Sequence, residues 1–311
     1  MTPGAPKHLV SIADLSQAEA LALLDSAAHF FELSRQPVKK APDLRGRTVL
    51  NLFFEASTRT RTSFELAGKR LSADVVNISA QSSSTTKGET LRDTVATLNA
   101  MQPDVVVLRH GASGAAHTIA RRSRAAVVNA GDGMHEHPTQ ALLDAFTMRR
   151  HLGSLSGRRV AICGDIQHSR VARSNALLLS MLGARVHFAA PRTMWPAVPE
   201  ALGAPISDRL EPALEGADVV MMLRIQQERL GSALIPSARE YAKIWGLSLA
   251  RLELARPGAL VMHPGPMNRG VEISDEVAES PQAAILDQVE AGVAVRMAVL
   301  ARAASADTAL S

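Results

Sequence analysis

Residues 49–65 read VLNLFFEASTRTRTSFE, in which an apolar run gives way to small hydroxyl and guanidinium side chains. The apolar run predicts a β-strand, and the apolar spacing between residues 64 and 71 predicts a helix after it. Ser57 and Thr58 fall at the helix N-cap, where free backbone N–H groups converge and attract anions. Arg59 adds a planar cation that suits phosphate oxygens. The segment therefore predicts a phosphate site between a strand and a helix.

The composition is that of a globular protein large enough for two α/β domains: 311 residues, 46% hydrophobic and 21% charged. A net charge of +4 suits anionic substrates, whereas the lack of a long basic tract and an aromatic content of 3% argue against nucleic-acid binding. Cys163 is the single cysteine and is expected in the core, so it forms no intramolecular disulfide. The sequence has neither a membrane-spanning apolar stretch nor a secretory pattern, and we expect a cytoplasmic protein.

Alternating strand-like and helical runs predict the α/β fold class, with two domains that each contain a parallel β-sheet flanked by helices. A turn-rich joint at 151–157 separates the predicted domains 1–150 and 151–280 and is a hinge candidate. An amphipathic helix over 281–303 is expected to pack back on the first domain. The predicted strands are Thr48–Phe54, Asp74–Ile78, Val105–Arg109, Ala126–Asn129, Arg159–Cys163, Arg185–Ala189, Val219–Arg224 and Ala259–Met262. The predicted helices of the first half are Arg59–Leu71, Glu89–Met101, Gly114–Arg121 and one that follows Pro138.

Polar residues recur where the predicted strands end, which is where open α/β sheets build their sites. Arg109 ends one strand, and His137 and Gln140 lie one helical turn apart after another. The spacing of His135 and His137 could suggest a metal, but no third ligand of matching character lies nearby in sequence, so we expect none. No dinucleotide site is expected after residue 163 either, because the G-x-G-x-x-G spacing is absent there.

Further polar positions flank the remaining predicted strands. Residues 82–90 form a Ser- and Thr-rich loop that includes Lys87; it is either a flexible linker or a loop ordered by a ligand. Arg170 and Arg224 follow strands of the second domain and would suit a dicarboxylate. The segment 263–266 (HPGP) is a rigid turn that could present backbone carbonyls. The sequence shows no nucleophile–base pair and no Walker loop, so the site would work by positioning and charge neutralisation.

With these motifs in this order, the chain resembles the aspartate/ornithine carbamoyltransferase family, and within it the aspartate branch. The resemblance covers nearly the whole chain. The motifs that carry it are Phe54-Glu55-Ala56-Ser57-Thr58-Arg59-Thr60-Arg61-Thr62-Ser63-Phe64-Glu65, Lys87-Gly88-Glu89-Thr90, Leu108-Arg109-His110, His137-Pro138-Thr139-Gln140, Arg224-Ile225-Gln226-Gln227-Glu228-Arg229 and His263-Pro264-Gly265-Pro266. It implies transfer of a carbamoyl group from carbamoyl phosphate to L-aspartate in pyrimidine biosynthesis, without a cofactor.

The resemblance also implies roles for individual residues. The residues that it assigns to carbamoyl phosphate are Ser57, Thr58, Arg59, Thr60, Ser83, Lys87, Arg109, His137, Gln140, Gly265 and Pro266. Among these, Arg59, Thr60, Arg109 and His137 are the expected catalytic residues. The residues that it assigns to aspartate are Lys87, Arg170, Arg224 and Gln226.

Members of the family are homotrimers with shared active sites, which implies that Ser83 and Lys87 come from the neighbouring subunit. Which serine of residues 82–84 contacts phosphate stays open. The segment 263–272 resembles aspartate enzymes that lack their own regulatory chain, and some relatives of that kind assemble with dihydroorotase. Assembly with dihydroorotase or with a regulatory chain is therefore left open.

Two other functions compete with this interpretation. Ornithine carbamoyltransferase shares the phosphate motif, but it has a His-Cys-Leu-Pro segment where this chain has HPGP at 263–266. Arg170 and Arg224 also favour a second carboxylate over the cation of ornithine. A non-catalytic scaffold that binds carbamoyl phosphate and activates dihydroorotase is the second alternative, although all expected site residues are present.

Overall fold

The computed structural model describes residues 7–79, 90–225, 234 and 237–305. The chain divides into two compact units, Met1–Leu143 with Glu290–Ser311 and Asp144–Val289. Each unit contains a parallel β-sheet flanked by helices, which confirms the predicted fold class.

The first unit contains a parallel sheet in the order β2-β1-β3-β4. Its elements are α1 (Gln17–Leu33), β1 (Thr48–Phe53), α2 (Thr58–Arg70), β2 (Asp74–Ser79), α3 (Leu91–Ala100), β3 (Val105–His110), α4 (Ala115–Ala120) and β4 (Ala126–Asp132). A core cluster joins Leu52 and Leu108 of the sheet to Leu98 of α3 and Ile119 of α4. Burial on both faces explains why the central strands β1 and β3 are largely apolar in the sequence.

Helix α5 (Pro138–Leu152) runs from the first unit into the second. The second unit contains a parallel sheet in the order β7-β6-β5-β8-β9. Its strands are β5 (Arg159–Cys163), β6 (Arg185–Ala189), β7 (Ile206–Ser207), β8 (Val219–Met222) and β9 (Leu260–Met262). Its helices are α6 (Arg170–Met181), α7 (Glu211–Leu214), α8 (Ala238–Trp245), α9 (Leu249–Leu252) and α10 (Asp275–Ala278). Short 3-10 turns span Ile12–Asp14, Arg192–Met194 and Pro199–Leu202.

The C-terminal helix, α11 (Ile285–Ala304), belongs to the first unit from Glu290 onward, as predicted. Arg302 pairs with Glu19 of α1 at 3.0 Å, and Glu290 pairs with Arg35 at 3.2 Å. The helix begins later than the predicted residue 281. The reason is a long-range pairing, in which the amide of Val261 donates to residue 282 at 2.8 Å before the helix starts.

The other predicted boundaries differ from the structure by small amounts. Strand β8 ends at Met222, two residues before the predicted end at Arg224. The two-residue strand β7 was not predicted, since it is too short to show a periodicity. The predicted start of α3 at Glu89 lies outside the described residues. In the described part of the chain, no helix combines the length and the apolar character needed to cross a bilayer.

Candidate active site

The first turn of α2 lies at the carboxyl edge of the first sheet, directly after β1. Ser57 is the N-cap residue, as predicted, and its carbonyl accepts the amide of Arg61 at 3.1 Å. Its hydroxyl makes no capping hydrogen bond, so the first amides of the helix are left to other acceptors. Thr58 and Arg59 are exposed, whereas Thr60 is buried. This arrangement suits an anion held by backbone amides, hydroxyls and a guanidinium.

Strand pairing places Arg109 beside this turn. Arg109 of β3 is the register partner of Phe53 in β1, and its carbonyl accepts the amide of Phe54 at 2.8 Å. Its Nε lies 3.4 Å from a carboxylate oxygen of Glu55, and its Nη1 donates to the carbonyl of Ala130 at 3.2 Å. These contacts hold the guanidinium at the edge where β1 leads into α2.

His137 and Gln140 lie at the start of α5. The carbonyl of His137 accepts the amide of Gln140 at 2.9 Å and that of Ala141 at 3.3 Å, so the imidazole sits directly before the first helical turn. Both side chains are buried. Because β4 neighbours β3 in the sheet, this helix start opens at the same edge as Arg109.

Two buried carboxylates that the sequence analysis did not single out hold the turn before His137. Asp132 accepts the amide of Glu136 at 3.1 Å, and Glu136 accepts the hydroxyl of Ser11 and, at 2.9 Å, the amide of Ile12. No local pattern could have revealed this contact, because Ser11 and Glu136 are 125 residues apart. The arrangement fixes the backbone that presents the imidazole.

In the second unit, two arginines lie at the carboxyl edge of the sheet. Arg170 is the first residue of α6, and its side chain is buried. The hydroxyl of the N-cap residue, Ser169, accepts the amide of Ala172 at 3.1 Å. Arg224 follows β8, which neighbours β5, the strand that leads to α6. Adjacent parallel strands therefore bring both arginines to one edge, where guanidinium groups can bind carboxylates.

The predicted turn at 263–266 follows β9 and contains a cis peptide bond between Gly265 and Pro266. Nδ1 of His263 accepts the amide of Gly265 at 2.8 Å. Since Nδ1 is the acceptor, Nε2 of the neutral ring carries the proton, and it lies 3.1 Å from Oε1 of Glu272. The turn is therefore held by the side chain of His263, which is its first residue.

Glu272 extends this contact into a network that the sequence analysis missed. Its carboxylate accepts the backbone and side-chain N–H groups of Asn268. The side-chain amide of Asn268 also donates to the carbonyl of Ile225 at 2.9 Å, and Ile225 is the residue that follows Arg224. The network thus joins the turn of Pro266 to the backbone next to Arg224, and Glu272 is a positioning residue for both.

Three of the predicted ligands, Ser83, Lys87 and Gln226, lie outside the described residues. Among the described residues, the first unit brings the predicted phosphate-site segment 57–60, Arg109, His137 and Gln140 to the carboxyl edge of its sheet. The second unit brings Arg170 and Arg224 to the carboxyl edge of its own sheet. Cys163 lies apart from these groups; it is fully buried, and burial raises the pKa of its thiol to about 12. It is the core residue that the sequence predicts.

Two parallel α/β units with charged side chains at their carboxyl sheet edges have the architecture of an open α/β enzyme. Residues 7–150 match the family described as aspartate/ornithine carbamoyltransferase, carbamoyl-P binding domain. Residues 156–303 match the Asp/Orn binding domain of the same family. The chain belongs to the aspartate/ornithine carbamoyltransferase family, which confirms the resemblance found in its motifs.

Individual relatives agree with this family. The aspartate carbamoyltransferase catalytic subunit of Sorangium cellulosum is 68% identical over 294 residues, which cover 94% of this chain and 92% of the relative. The solved structure of Trypanosoma cruzi aspartate transcarbamoylase, in complex with carbamoyl phosphate and aspartate, matches with a TM-score of 0.85 and 33% identity over 97% of this chain and 98% of that one. Ornithine carbamoyltransferase from Pyrococcus furiosus matches with a TM-score of 0.84 and 27% identity over the same shares of the two chains, 97% and 98%. The fold alone therefore does not distinguish the two acceptors.

Proposed function

We propose that this chain transfers the carbamoyl group of carbamoyl phosphate to the α-amino group of L-aspartate, giving N-carbamoyl-L-aspartate and phosphate in pyrimidine biosynthesis. The observation that carries the proposal is the 68% identity with an aspartate carbamoyltransferase catalytic subunit over 94% of the chain. The Trypanosoma cruzi enzyme has been solved with carbamoyl phosphate and aspartate, and with carbamoyl aspartate and phosphate. These pairs are the substrates and the products of the proposed reaction.

The phosphate of the donor binds at the start of α2. Ser57, Thr58, Arg59 and Thr60 supply hydroxyls, amides and a guanidinium, and the uncapped first turn supports this role. A helix N-terminus favours negative charge, and a planar guanidinium can bind two phosphate oxygens at once. The donor is therefore anchored through the group that leaves.

The transition state is stabilised where negative charge develops on the carbamoyl oxygen. Thr60, Arg109 and His137 are the donors proposed for this oxygen, and the buried setting of Thr60 and His137 strengthens such interactions. Gln140 and the backbone at Gly265–Pro266 orient the carbamoyl amide. The Asp132–Glu136 contacts and the Glu272 network support these groups by limiting the movement of their backbone.

The acceptor binds through its two carboxylates to Arg170 and Arg224, with Lys87 and Gln226 as further ligands. The neutral amine forms the new N–C bond as the C–O bond to phosphate breaks. The departing phosphate takes the proton from nitrogen, so the reaction needs no protein base. Two guanidinium groups favour the second carboxylate of aspartate over the side-chain ammonium of ornithine.

The active form is a homotrimer in which the neighbouring subunit supplies Ser83 and Lys87. A mixture of chains that carry Lys87→Ala and Arg59→Ala should recover activity through hybrid sites, because one kind of site in the mixed trimer is then intact. Verified mixed trimers without recovered activity would contradict shared sites. The cytoplasmic location and assembly with dihydroorotase or a regulatory chain stay predictions.

A ureido-product assay tests the reaction directly. The purified chain receives carbamoyl phosphate with either L-aspartate or L-ornithine, and we expect product with aspartate alone. Product with ornithine alone would reassign Arg170 and Arg224. A folded trimer that is silent with both acceptors, yet binds carbamoyl phosphate, would favour the non-catalytic scaffold.

A further inference from the structure

A group of three side chains with metal-ligand chemistry lies in the first unit, and none of the three is among the residues proposed to contact the substrates. It consists of His117 on α4, Asp132 at the end of β4 and His135 in the turn before α5. One ligand atom from each side chain lies within 4.8 Å of the other two. In the sequence, His135 and His137 are spaced like a ligand pair, and no third ligand of matching character lies near them. The fold pairs His135 with His117 instead, with ring centroids 5.5 Å apart.

Asp132 is held in place before any ion binds. Its side chain is fully buried, and it accepts the amide of Gly114 at 2.7 Å, the amide of Glu136 at 3.1 Å and the side-chain amide of Asn129 at 2.8 Å. Donors of this kind orient a carboxylate ligand in the way that outer-shell partners do in metal sites. Little conformational entropy would be lost at this residue on binding.

The distance between His135 and Asp132 suits a tetrahedral ion. Nδ1 of His135 lies 3.2 Å from Oδ2 of Asp132. Zinc bonds to nitrogen and oxygen of roughly 2.0–2.1 Å give a tetrahedral edge of about 3.3 Å. An ion with bonds of this length to both atoms would lie to one side of the line that joins them, so the present N···O separation is kept while the His135 ring turns its lone pair toward the ion. The side chain of His135 is 37% exposed, so an ion can enter from solvent.

His117 completes the set by a small side-chain movement. Its ring is only partly buried and can rotate, and its ligand atom already lies within 4.8 Å of those of Asp132 and His135. Two imidazoles and one carboxylate suit zinc and neighbouring transition metals, whereas Mg²⁺ and Ca²⁺ prefer sites built mainly from oxygen. Three protein ligands leave a fourth position for water.

We propose that His117, Asp132 and His135 bind one divalent transition-metal ion, with Zn²⁺ as the reference ion. The ion would link α4, the end of β4 and the turn that leads to His137. A ligand that binds only the folded state stabilises it by mass action, so zinc should raise the unfolding temperature. Carbamoyl transfer, as proposed above, does not involve this ion.

Calorimetric titration of the tag-free chain with ZnCl₂ tests the site. We expect one ion per chain, and an affinity that falls at least about tenfold in both His117→Gln and His135→Gln. His29→Gln is the matched control, because His29 is an exposed histidine on α1 outside the group, and it should bind like the wild type. Melting curves without zinc show whether each variant is folded. The rise in unfolding temperature that zinc causes in the wild type should be absent from His117→Gln and His135→Gln.

Two outcomes overturn the proposal. One is the absence of saturable binding to the wild-type chain, which would leave the Asp132–His135 contact as a turn hydrogen bond only. The other is zinc affinity that is unchanged in His117→Gln but lost in His135→Gln, which would show that His117 is not a ligand and leave the ion to Asp132 and His135 alone. A second measurement needs no variant: zinc should protect His117 and His135, but not His29, from carbethoxylation measured by mass spectrometry.

Discussion

His263 and Glu272 form a fully buried pair in the second unit, with Nε2 of the ring 3.1 Å from Oε1 of the carboxylate. All the groups that Glu272 contacts there are donors: the ring N–H of His263 and two N–H groups of Asn268. A carboxylate satisfies all of them, because each of its oxygens accepts more than one hydrogen bond. The pair therefore fixes the turn that ends at Pro266 from inside the unit.

Glu272→Gln should disturb this turn with almost no change in volume. The new amide NH₂ would face a donor, which leaves a buried group unsatisfied and costs about 1–3 kcal/mol in the free energy of unfolding. Because Asn268 also contacts the carbonyl next to Arg224, we expect a higher KM for aspartate and a kcat lowered by up to about 100-fold. Chemical denaturation and steady-state kinetics measure the two effects.

Glu279→Gln is the matched control for this change. Glu279 pairs with Arg269 at 3.0 Å, but its side chain is 70% exposed. An exposed ion pair contributes little, so both stability and kinetics should stay close to wild type. Equal effects of the two substitutions would show that the buried network does not position the turn.

Arg59→Ala tests the anion site at the start of α2. The side chain is exposed, so its loss should hardly change the unfolding temperature, whereas loss of one positioned donor should lower kcat by about 10²–10³-fold. Lys69→Ala removes a cation from the far end of the same helix, where Lys69 pairs with Glu65 at 2.6 Å, and should leave activity intact. If both variants lost activity equally, general charge rather than a local phosphate contact would be responsible.

Asp218 links stability to pH in the second unit. Burial alone would raise the pKa of this carboxyl, but the hydrogen bond from the amide of Arg159 at 2.8 Å and the guanidinium groups of Arg158 and Arg256 lower it on balance. The unfolded chain therefore takes up the proton first as pH falls. The contribution of Asp218 is complete well above the unfolded-state pKa of about 4, and it is lost progressively as the pH falls through that value and then through the folded-state pKa.

Asp218→Asn should accordingly lower the unfolding temperature at pH 7, and the difference from wild type should narrow below about pH 4. Calorimetric scans of both proteins at pH 7 and pH 3.5 check this. Asp208→Asn serves as the control, because Asp208 pairs with Arg192 on the surface and should show a much smaller difference. A gap of equal size at both pH values would mean that hydrogen-bond geometry, rather than charge, accounts for the role of Asp218.

The sequence predicts those parts of the molecule that depend on neighbours along the chain. The end of β1 and the start of α2 lie within one residue of prediction, because an apolar run and a helical spacing meet at Ser57. The strands β5 and β6 match their predicted bounds. After Arg159, β5 is a continuous buried apolar run, whereas β6 alternates, with Val186 and Phe188 buried and His187 partly exposed. The sheet-edge position of Arg109 follows from the same logic.

Contacts between distant residues could not be predicted in this way. The late start of α11 depends on pairing with Val261 in β9, which no helical periodicity reveals. The buried contact of Glu136 with Ser11, and the approach of His135 to His117, depend on which strands and helices become neighbours. Such partners are set by the topology of the sheet, which local patterns in the sequence do not reveal.

Gly164 lies where β5 leads toward Arg170, and its substitution tests how closely this segment packs against the end of β8 that leads to Arg224. Its φ is +128°, and an added Cβ would lie 3.1 Å from both Cβ and the carbonyl oxygen of Leu223, next to Arg224. Gly164→Ala should therefore lower the free energy of unfolding by about 1–3 kcal/mol and raise the KM for aspartate. Gly203→Ala is the control, because φ there is also positive at +66° but no atom lies within 4 Å of the added Cβ. Gly203→Ala should lower the free energy of unfolding by less than Gly164→Ala and leave the KM for aspartate unchanged. If both variants raised this KM equally, the close approach to Leu223 would not be the cause.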